Sequence, residues 1–424
     1  MEILGWALGA GAIVTIIVWA AIWFGVEQSV RRLPTLRDGL RLAMDDPPTG
    51  RVCVVVPAHN EARVIAGFVQ SLRAETYPQL RVVLALDRCT DDTASLVRTG
   101  IAGDQRFEVV EIDSCPDDWA GKVHAVHAGV TRSMGARDAE YLLFADADTV
   151  FEPGCIAASM ALMRQRKLDL LSLLSTLMHD TWFERVVQTA AAFELMRQYP
   201  LMRANGLKTW RAFANGQFML FRRDAYDAVG GHAAVKRALL EDLALARLIV
   251  RQRRRPGVFF AAGLFRCRMY ADWAQFRRGW ARIYTEAANR KASRLSFSAL
   301  RIRVVGTVLP LCTLGCALYG ALLAANHDNV GWVLLGLSLA AILVWLGTLL
   351  RLAAVAEAPA WTAPLLLLGA WLAGGLLSQA ADDLRSRRPT QWGGREYDLA
   401  SEQPSPAQPA TDNAPVARSV TPSR

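Results

Sequence analysis

Asp146 and Asp148 stand one residue apart, directly after the apolar run Tyr141–Ala145. Carboxylate oxygens suit a hard divalent cation, Mg2+ or Mn2+, and a cation held there can neutralise a departing diphosphate. The spacing alone also fits a solvated acidic turn. Other polar groups follow where apolar runs stop. Val54-Val55-Val56 ends in Pro57, followed by Ala58, His59, Asn60 and Glu61. Leu86 is followed by Asp87, an acceptor suited to a uracil ring, and by Asp91 where a helix would need a cap. Gly121-Lys122 offers an ammonium that meets phosphate as a point charge. In chain order these places read as a base site, a pyrophosphate site and a metal site.

Two further groups come later. Asn215-Gly216-Gln217 leads into Phe218-Met219-Leu220. Gly216 permits close backbone approach, so Gly216 and Gln217 fit the floor of an acceptor site, and the same residues fit a buried strand. Glu241-Asp242 opens an apolar helical stretch. A carboxylate there benefits from the helix N-terminus and reads as a cap or as an acid–base group.

These residues need elements to place them. Val52–Val56 is a β-branched run of the kind found in buried parallel strands. Arg81–Leu86, Phe107–Ile112 and Tyr141–Ala145 read as further strands, with Ala62–Arg73 and a segment starting near Thr90–Thr93 as helices. Strand–helix alternation predicts a mostly parallel, doubly wound α/β sheet that binds ligands at its strand C-terminal ends.

Ile3 to Val26 carries no charge, and a helix over it reaches about 36 Å, enough to cross a bilayer core. Arg31, Arg32, Arg37 and Arg41 follow it, the reverse of a signal peptide's charge order. The expectation is an anchor with the next domain in the cytoplasm. Three more uncharged runs, 304–326, 329–350 and 358–381, lie near the C-terminus. Three full crossings would leave the tail outside, whereas Arg385, Arg387, Arg388 and Arg395 argue for inside. A re-entrant or interfacial segment reconciles the two. From Ser401 the Pro, Ala, Ser, Thr and Gln content reads as disorder.

The ordered motifs between Arg51 and Tyr284 together resemble the family 2 glycosyltransferases, which have the GT-A fold. Pro57-Ala58-His59-Asn60-Glu61 matches the family's P-x-x-N-E. Asp87-Arg88-Cys89-Thr90-Asp91-Asp92-Thr93 resembles its D-D-G-S-x-D-x-T loop with substitutions, and Gly121–His127 its G-K-x-x-A-L-N element. The resemblance implies donor contacts from Pro57, Ala58, Asn60, Glu61, Asp87, Lys122 and Asp146, and a divalent cation on Asp146 and Asp148. It implies that Glu241-Asp242 supplies the catalytic base of an inverting transfer, through Asp242. Gln275-Phe276-Arg277-Arg278-Gly279-Trp280 is similar to Q-x-x-R-W with Gly279 inserted, so Gln275, Arg278 and Trp280 become candidates for a pyrophosphate clamp and an acceptor platform. A basic interfacial helix fits Trp273–Tyr284 nearly as well. Trp392-Gly393-Gly394-Arg395 is similar to the W-x-G-R of lipid-directed members, and UDP is favoured as carrier through the family.

The expected organisation is an anchor (1–28), a basic linker (29–50), the GT-A domain (51–270), an amphipathic interfacial segment (271–300), about three membrane helices (301–384) and a basic, disordered tail (385–424). This layout is similar to ceramide glucosyltransferases, carotenoid glycosyltransferases and the hopene-associated group. It implies transfer from a nucleotide-sugar to a lipid or isoprenoid acceptor at the cytoplasmic face of a bacterial inner membrane. A processive polysaccharide synthase and a non-catalytic membrane scaffold are the competing classes. The net charge of +9 fits a face toward anionic lipid or phosphate, and no nucleic-acid motif accompanies it. Seven scattered cysteines without a CxxC pair argue against a disulfide framework or a zinc site.

Overall fold

All five residues Val52–Val56 are buried, because both faces of their strand are covered by helices. The computed structural model describes residues 2–199, 201–207, 212–238, 240–386, 390–392 and 395–397. In chain order its strands are β1 (Val52–Ala58), β2 (Leu80–Asp87), β3 (Phe107–Ile112), β4 (Tyr141–Ala145), β5 (Thr149–Phe151), β6 (Leu170–Leu174), β7 (Thr176–Leu177), β8 (Phe218–Arg222), β9 (Pro256–Phe260) and β10 (Phe265–Cys267). The main sheet has the order β3-β2-β1-β4-β8-β6-β9, with β8 alone antiparallel to its neighbours. A small sheet, β5-β10-β7, stands beside it.

The order explains where a ligand can sit. The chain builds outward from β1 to β3, then returns to place β4 on the other side of β1. The helices Ile65–Arg73 and Cys155–Arg166 cover one face of the sheet and Gly121–Arg132 the other, and a crevice opens at the strand carboxyl ends where the order reverses about β1. Pro57–Glu61 and Asp146–Asp148 emerge into that crevice.

The segment expected as a basic linker is partly structured. Leu36–Asp45 is a helix whose Leu36, Gly39 and Ala43 are buried. A Cβ at Gly39 would lie 2.4 Å from the Ala158 carbonyl on the Cys155–Arg166 helix, so the two helices touch backbone to backbone. Arg37 and Arg41 lie off this apolar stripe, which is why the sequence looked merely basic. In the later run 251–255, Arg254 pairs with Asp169 and Asp224 of the domain rather than facing lipid.

By length and composition four helices could cross a membrane: 6–32, 292–325, 329–355 and 360–385. The second is continuous from Ala292 to Ala325, passing through a π stretch at Val304–Val308. Pro310 cannot donate to the carbonyl one turn back, and the ladder widens just before it. Three of them pack together. Thr15 meets Thr313 at 2.8 Å, Thr348 donates to the Trp19 carbonyl, and Arg351 pairs with Glu27 near the domain end.

The fourth behaves differently. After a 3-10 turn at Ala360–Leu365, Leu366–Arg385 begins beside Thr307, which donates to the Leu367 carbonyl, and ends beside Ser296, which accepts from Arg385. It thus runs toward the α/β domain alongside residues 296–307. The stretch that remains beyond it, Thr307–Ala325, rises about 27 Å, the thickness of a bilayer core. Arg385, the last residue of this helix, lies at its domain end. Exposed Trp182, Trp361, Trp371 and Phe297 lie around this level, as aromatics do at a membrane boundary. The tail from Ser401 and the two glycines of Trp392–Arg395 lie outside the described residues.

Candidate active site

The cleft at the ends of β1, β2 and β4 is lined by Pro57, Ala58, His59, Glu61, Asp87, Arg88, Gly121, Lys122, Asp146, Asp148, Asn215–Gln217 and Leu240–Asp242. The long side, Met269, Tyr270, Arg282 and Ile283, comes from the segment around the Trp273–Ala287 helix.

Its polar floor is built from fixed turns. The Asn60 side chain accepts from the Thr90 amide, and the Asp91 carboxylate accepts from the Ala62 and Thr93 amides. These bonds lock the β1 and β2 loops together, with Asn60 in the left-handed region at φ 57°. Asn60 is exposed and acts as this tie rather than lining the cleft. His59 Nδ1 lies 2.6 Å from the Asp87 carbonyl. Both Asp87 carboxylate oxygens accept from the Arg88 guanidinium, at 2.8 and 2.7 Å.

Lys122 lies in the first turn of the Gly121–Arg132 helix. Its ammonium bridges Asp146 at 2.7 Å and Glu241 at 2.8 Å. Burial works against that charge, yet the two carboxylates hold the lysine well above its ordinary range. Burial likewise opposes the Glu241 charge, and Lys122 outweighs it, so this carboxyl sits below the usual range. Asp148 has no such partner. Its Oδ1 is buried without a hydrogen bond, and burial followed by the charges of Asp146 and Glu61 pushes it up to about 8. Glu61 is raised to about 7 by burial, then by Asp146 and Asp91. Acidic groups gathered this closely, with one oxygen left unpaired, form a place where positive charge would be welcome.

Asp242 opens the Glu241–Arg251 helix. Its Oδ2 accepts from the Gly216 amide at 2.9 Å and its Oδ1 from the Leu243 amide at 2.7 Å. Burial first, and the adjacent Glu241 charge second, push its carboxyl up to about 7. A carboxylate so raised is a stronger base than one in water, and it faces the cleft at the pH where it can change protonation state. Gly216 has the close approach expected of it: a Cβ there would lie 3.2 Å from Asp242 Oδ2. Gln217 accepts from Ser175 and Asn215 through its side-chain oxygen, so the acceptor floor and the start of β8 are one feature.

The helical wall departs from expectation. Gln275 and Arg278 are exposed and lie outside the cleft. Arg282, one turn further along the same face, lines it instead; burial raises the Asp146 carboxyl, and Lys122 and then Arg282 work against that rise. Trp280 is 2% exposed and packs with Phe276 and Tyr284 in the cluster that joins this helix to Leu366–Arg385. The inserted Gly279 has a physical reason. A Cβ there would fall 2.3 Å from the Tyr270 ring, so only glycine lets Tyr270 lie across the helix into the cleft. Tyr270 and Arg282 were not singled out from sequence. Helical spacing, four residues on from Arg278, is the signal that could have found Arg282. His232, an alternative base by type, is buried against Phe144 and Tyr226 and is absent from the cleft lining.

Residues 53–230 match the family described as Glycosyl transferase family 2. The domain belongs to that family, has the GT-A architecture, and the chain is a glycosyltransferase. A 4,4'-diaponeurosporenoate glycosyltransferase of Staphylococcus aureus (strain MRSA252) is 28% identical over 268 residues, covering 61% of this chain and 68% of the relative. Among solved structures, the mannosyltransferase PcManGT from Pyrobaculum calidifontis, in complex with GDP-Man and Mn2+, is 18% identical with a TM-score of 0.46. That match covers 90% of this chain and 99% of the other. Staphylococcus aureus TarS 1-349 with UDP-GlcNAc is 13% identical with a TM-score of 0.39, covering 83% of this chain and 97% of that one.

Proposed function

We propose that this enzyme transfers a sugar, with inversion, from a nucleotide-sugar of the UDP class to a lipid or isoprenoid acceptor at the cytoplasmic face of a bacterial inner membrane. The observation that carries the reading is Asp242, a buried carboxylate raised to about 7 in the same cleft as Lys122, Asp146 and Asp148. The similarity to a carotenoid-acid glycosyltransferase and the membrane-length helices support the acceptor class.

In this reading the base of the nucleotide lies by Pro57, Ala58 and Asp87, with Glu61 beside it. Arg88 holds the Asp87 carboxylate in place, so its acceptor capacity is oriented before the donor arrives. Lys122 gives up Asp146 to meet the diphosphate and stays paired with Glu241. Asp146 and Asp148 would hold a Mg2+ or Mn2+ ion; the unpaired Asp148 oxygen fits that use. Such a cation supplies neutralisation of the charge that develops on the diphosphate. Asp242 takes the proton from the acceptor hydroxyl as its oxygen bonds to the anomeric carbon and the sugar–diphosphate bond breaks on the opposite face. Gly216 and Leu243 amides keep Asp242 aimed at that proton. Glu241, held charged by Lys122, keeps Asp242 basic.

The test incubates membranes containing the full chain with a panel of radiolabelled nucleotide-sugars, followed by lipid extraction. Label entering the lipid fraction with one donor is expected. Label appearing only in a water-soluble polymer favours a processive synthase instead. Reporters at Pro48 and after Arg395 should both be shielded from external protease in intact cells.

A further inference from the structure

An apolar cavity adjoins the cleft and a second adjoins the first, their linings overlapping in series. The first, about 320 Å³, shares Asn215, Gln217, Met269 and Ile283 with the cleft. The second, about 370 Å³, shares Val30, Phe193, Met196, Phe260 and Val355 with the first. It lies between the N-terminal helix at Trp19–Val30, Leu349–Val355 and Arg301–Gly306, the level where the three crossing helices leave the domain. Polarity changes along the route. Asn215 and Gln217 stand at the cleft end, beside the amide that binds Asp242, whereas the far end is bounded by Trp19, Ile22, Val305 and Leu366. Glu194, an acid on its wall, is held by Arg197 and Arg301.

We infer that this series of cavities is the acceptor's path, holding a single linear hydrocarbon chain with its reactive end at Asp242 and its tail between the N-terminal helix and the 349–355 stretch. The inference rests on the lipid-acceptor reading and deepens it. A hydrophilic acceptor would have to leave its hydration along apolar walls, which is costly. A hydrocarbon chain gains from the same walls. The residues common to both cavities, Phe193 and Met196 of one helix with Val30, Phe260 and Val355 of three other segments, form the join through which the chain passes.

Gly25 provides the probe. It lines the far cavity, and a Cβ there meets nothing within 4 Å, so the side chain of Gly25→Phe starts from open space on that wall. The full-length enzyme in membranes is exposed to a linear primary alcohol carrying a diazirine at its tail end, irradiated, and the labelled peptides are mapped. Label is expected on Trp19–Val30 and Leu349–Val355, falling about tenfold in Gly25→Phe. A shorter alcohol whose diazirine reaches only the first cavity should label Thr189–Met196 equally in both proteins. Ala192→Leu, within that first cavity, should reduce labelling by both probes. Label confined to the outward, lipid-facing Ile13 and Ile17, unchanged in Gly25→Phe, would overturn the path. Because labelling needs no donor, it decides the path even if no nucleotide-sugar in the panel is consumed, which is the outcome that would sink the lipid-transfer reading.

Discussion

The two walls of the cleft are built by different means. On the sheet side, Lys122, Asp146 and Asp242 hang from strand ends and helix first turns, fixed by backbone amides or opposite charges, with Asp148 beside them. Their protonation is set by burial and by one another. On the helical side, Trp273–Ala287 contributes Arg282 but is mostly an aromatic surface, with Phe276, Trp280 and Tyr284 packed toward Leu366–Arg385. The first wall is rigid and electrostatic; the second is apolar and coupled to the membrane-level helices. Chemistry and acceptor delivery are thus assigned to separate supports, so damage to the first should lower turnover and damage to the second should alter acceptor use.

The largest effect expected is on the sheet side. Asp148→Ala, or chelation of divalent ions, should abolish sugar transfer while leaving the fold intact by circular dichroism, and Mg2+ or Mn2+ should restore the chelated wild type. Full activity in excess chelator would remove the cation from the scheme.

Asp242→Asn comes next. Asn keeps the volume and caps a helix about as well as Asp, so stability and nucleotide binding should hold while turnover falls by roughly 10² or more. Near-normal turnover would leave Asp242 as a cap alone.

The helical wall yields a paired test. Arg282→Ala should reduce kcat/KM by roughly 10- to 100-fold through loss of a charged group beside the diphosphate site, whereas Arg278→Ala should change it little. The reverse ranking would mean that the helix sits one turn differently when donor is bound.

The smallest effect is a pH dependence of stability without donor or cation. The folded carboxyls of Glu61 and Asp242 titrate at about 7 and that of Asp148 at about 8, against about 4 when unfolded. Between these limits the folded state keeps protons that the unfolded state has lost, so this contribution to stability declines as pH rises from about 4 to about 8. Tm should fall across that window, less steeply in Asp148→Asn, and added Mn2+ with UDP should flatten it. An unchanged slope in Asp148→Asn would show that Asp148 is not the raised group.

Local sequence by itself determined the parts whose physics is local. β3 and β4 fall on the runs read as strands, and β1 and β2 extend theirs by one or two residues. Asp146 and Asp148 follow the parallel strand β4, Gly216 precedes the antiparallel β8, and Lys122 and Asp242 open helices, so all five lie at the sheet edge where parallel strands end. Tertiary packing decided the rest. Whether Arg278 or Arg282 reaches the cleft depends on how far along its axis a helix is docked, and a face repeated every turn carries no axial coordinate. Leu366–Arg385 has the length and apolarity of a membrane span, yet its partner at Ser296–Thr307 holds it beside the domain, since hydropathy does not record which neighbour buries an apolar face. The raised carboxyls of Asp148 and Asp242 and the apolar route behind Gln217 likewise exist only once distant segments meet, because burial and the spacing of charges belong to the folded chain.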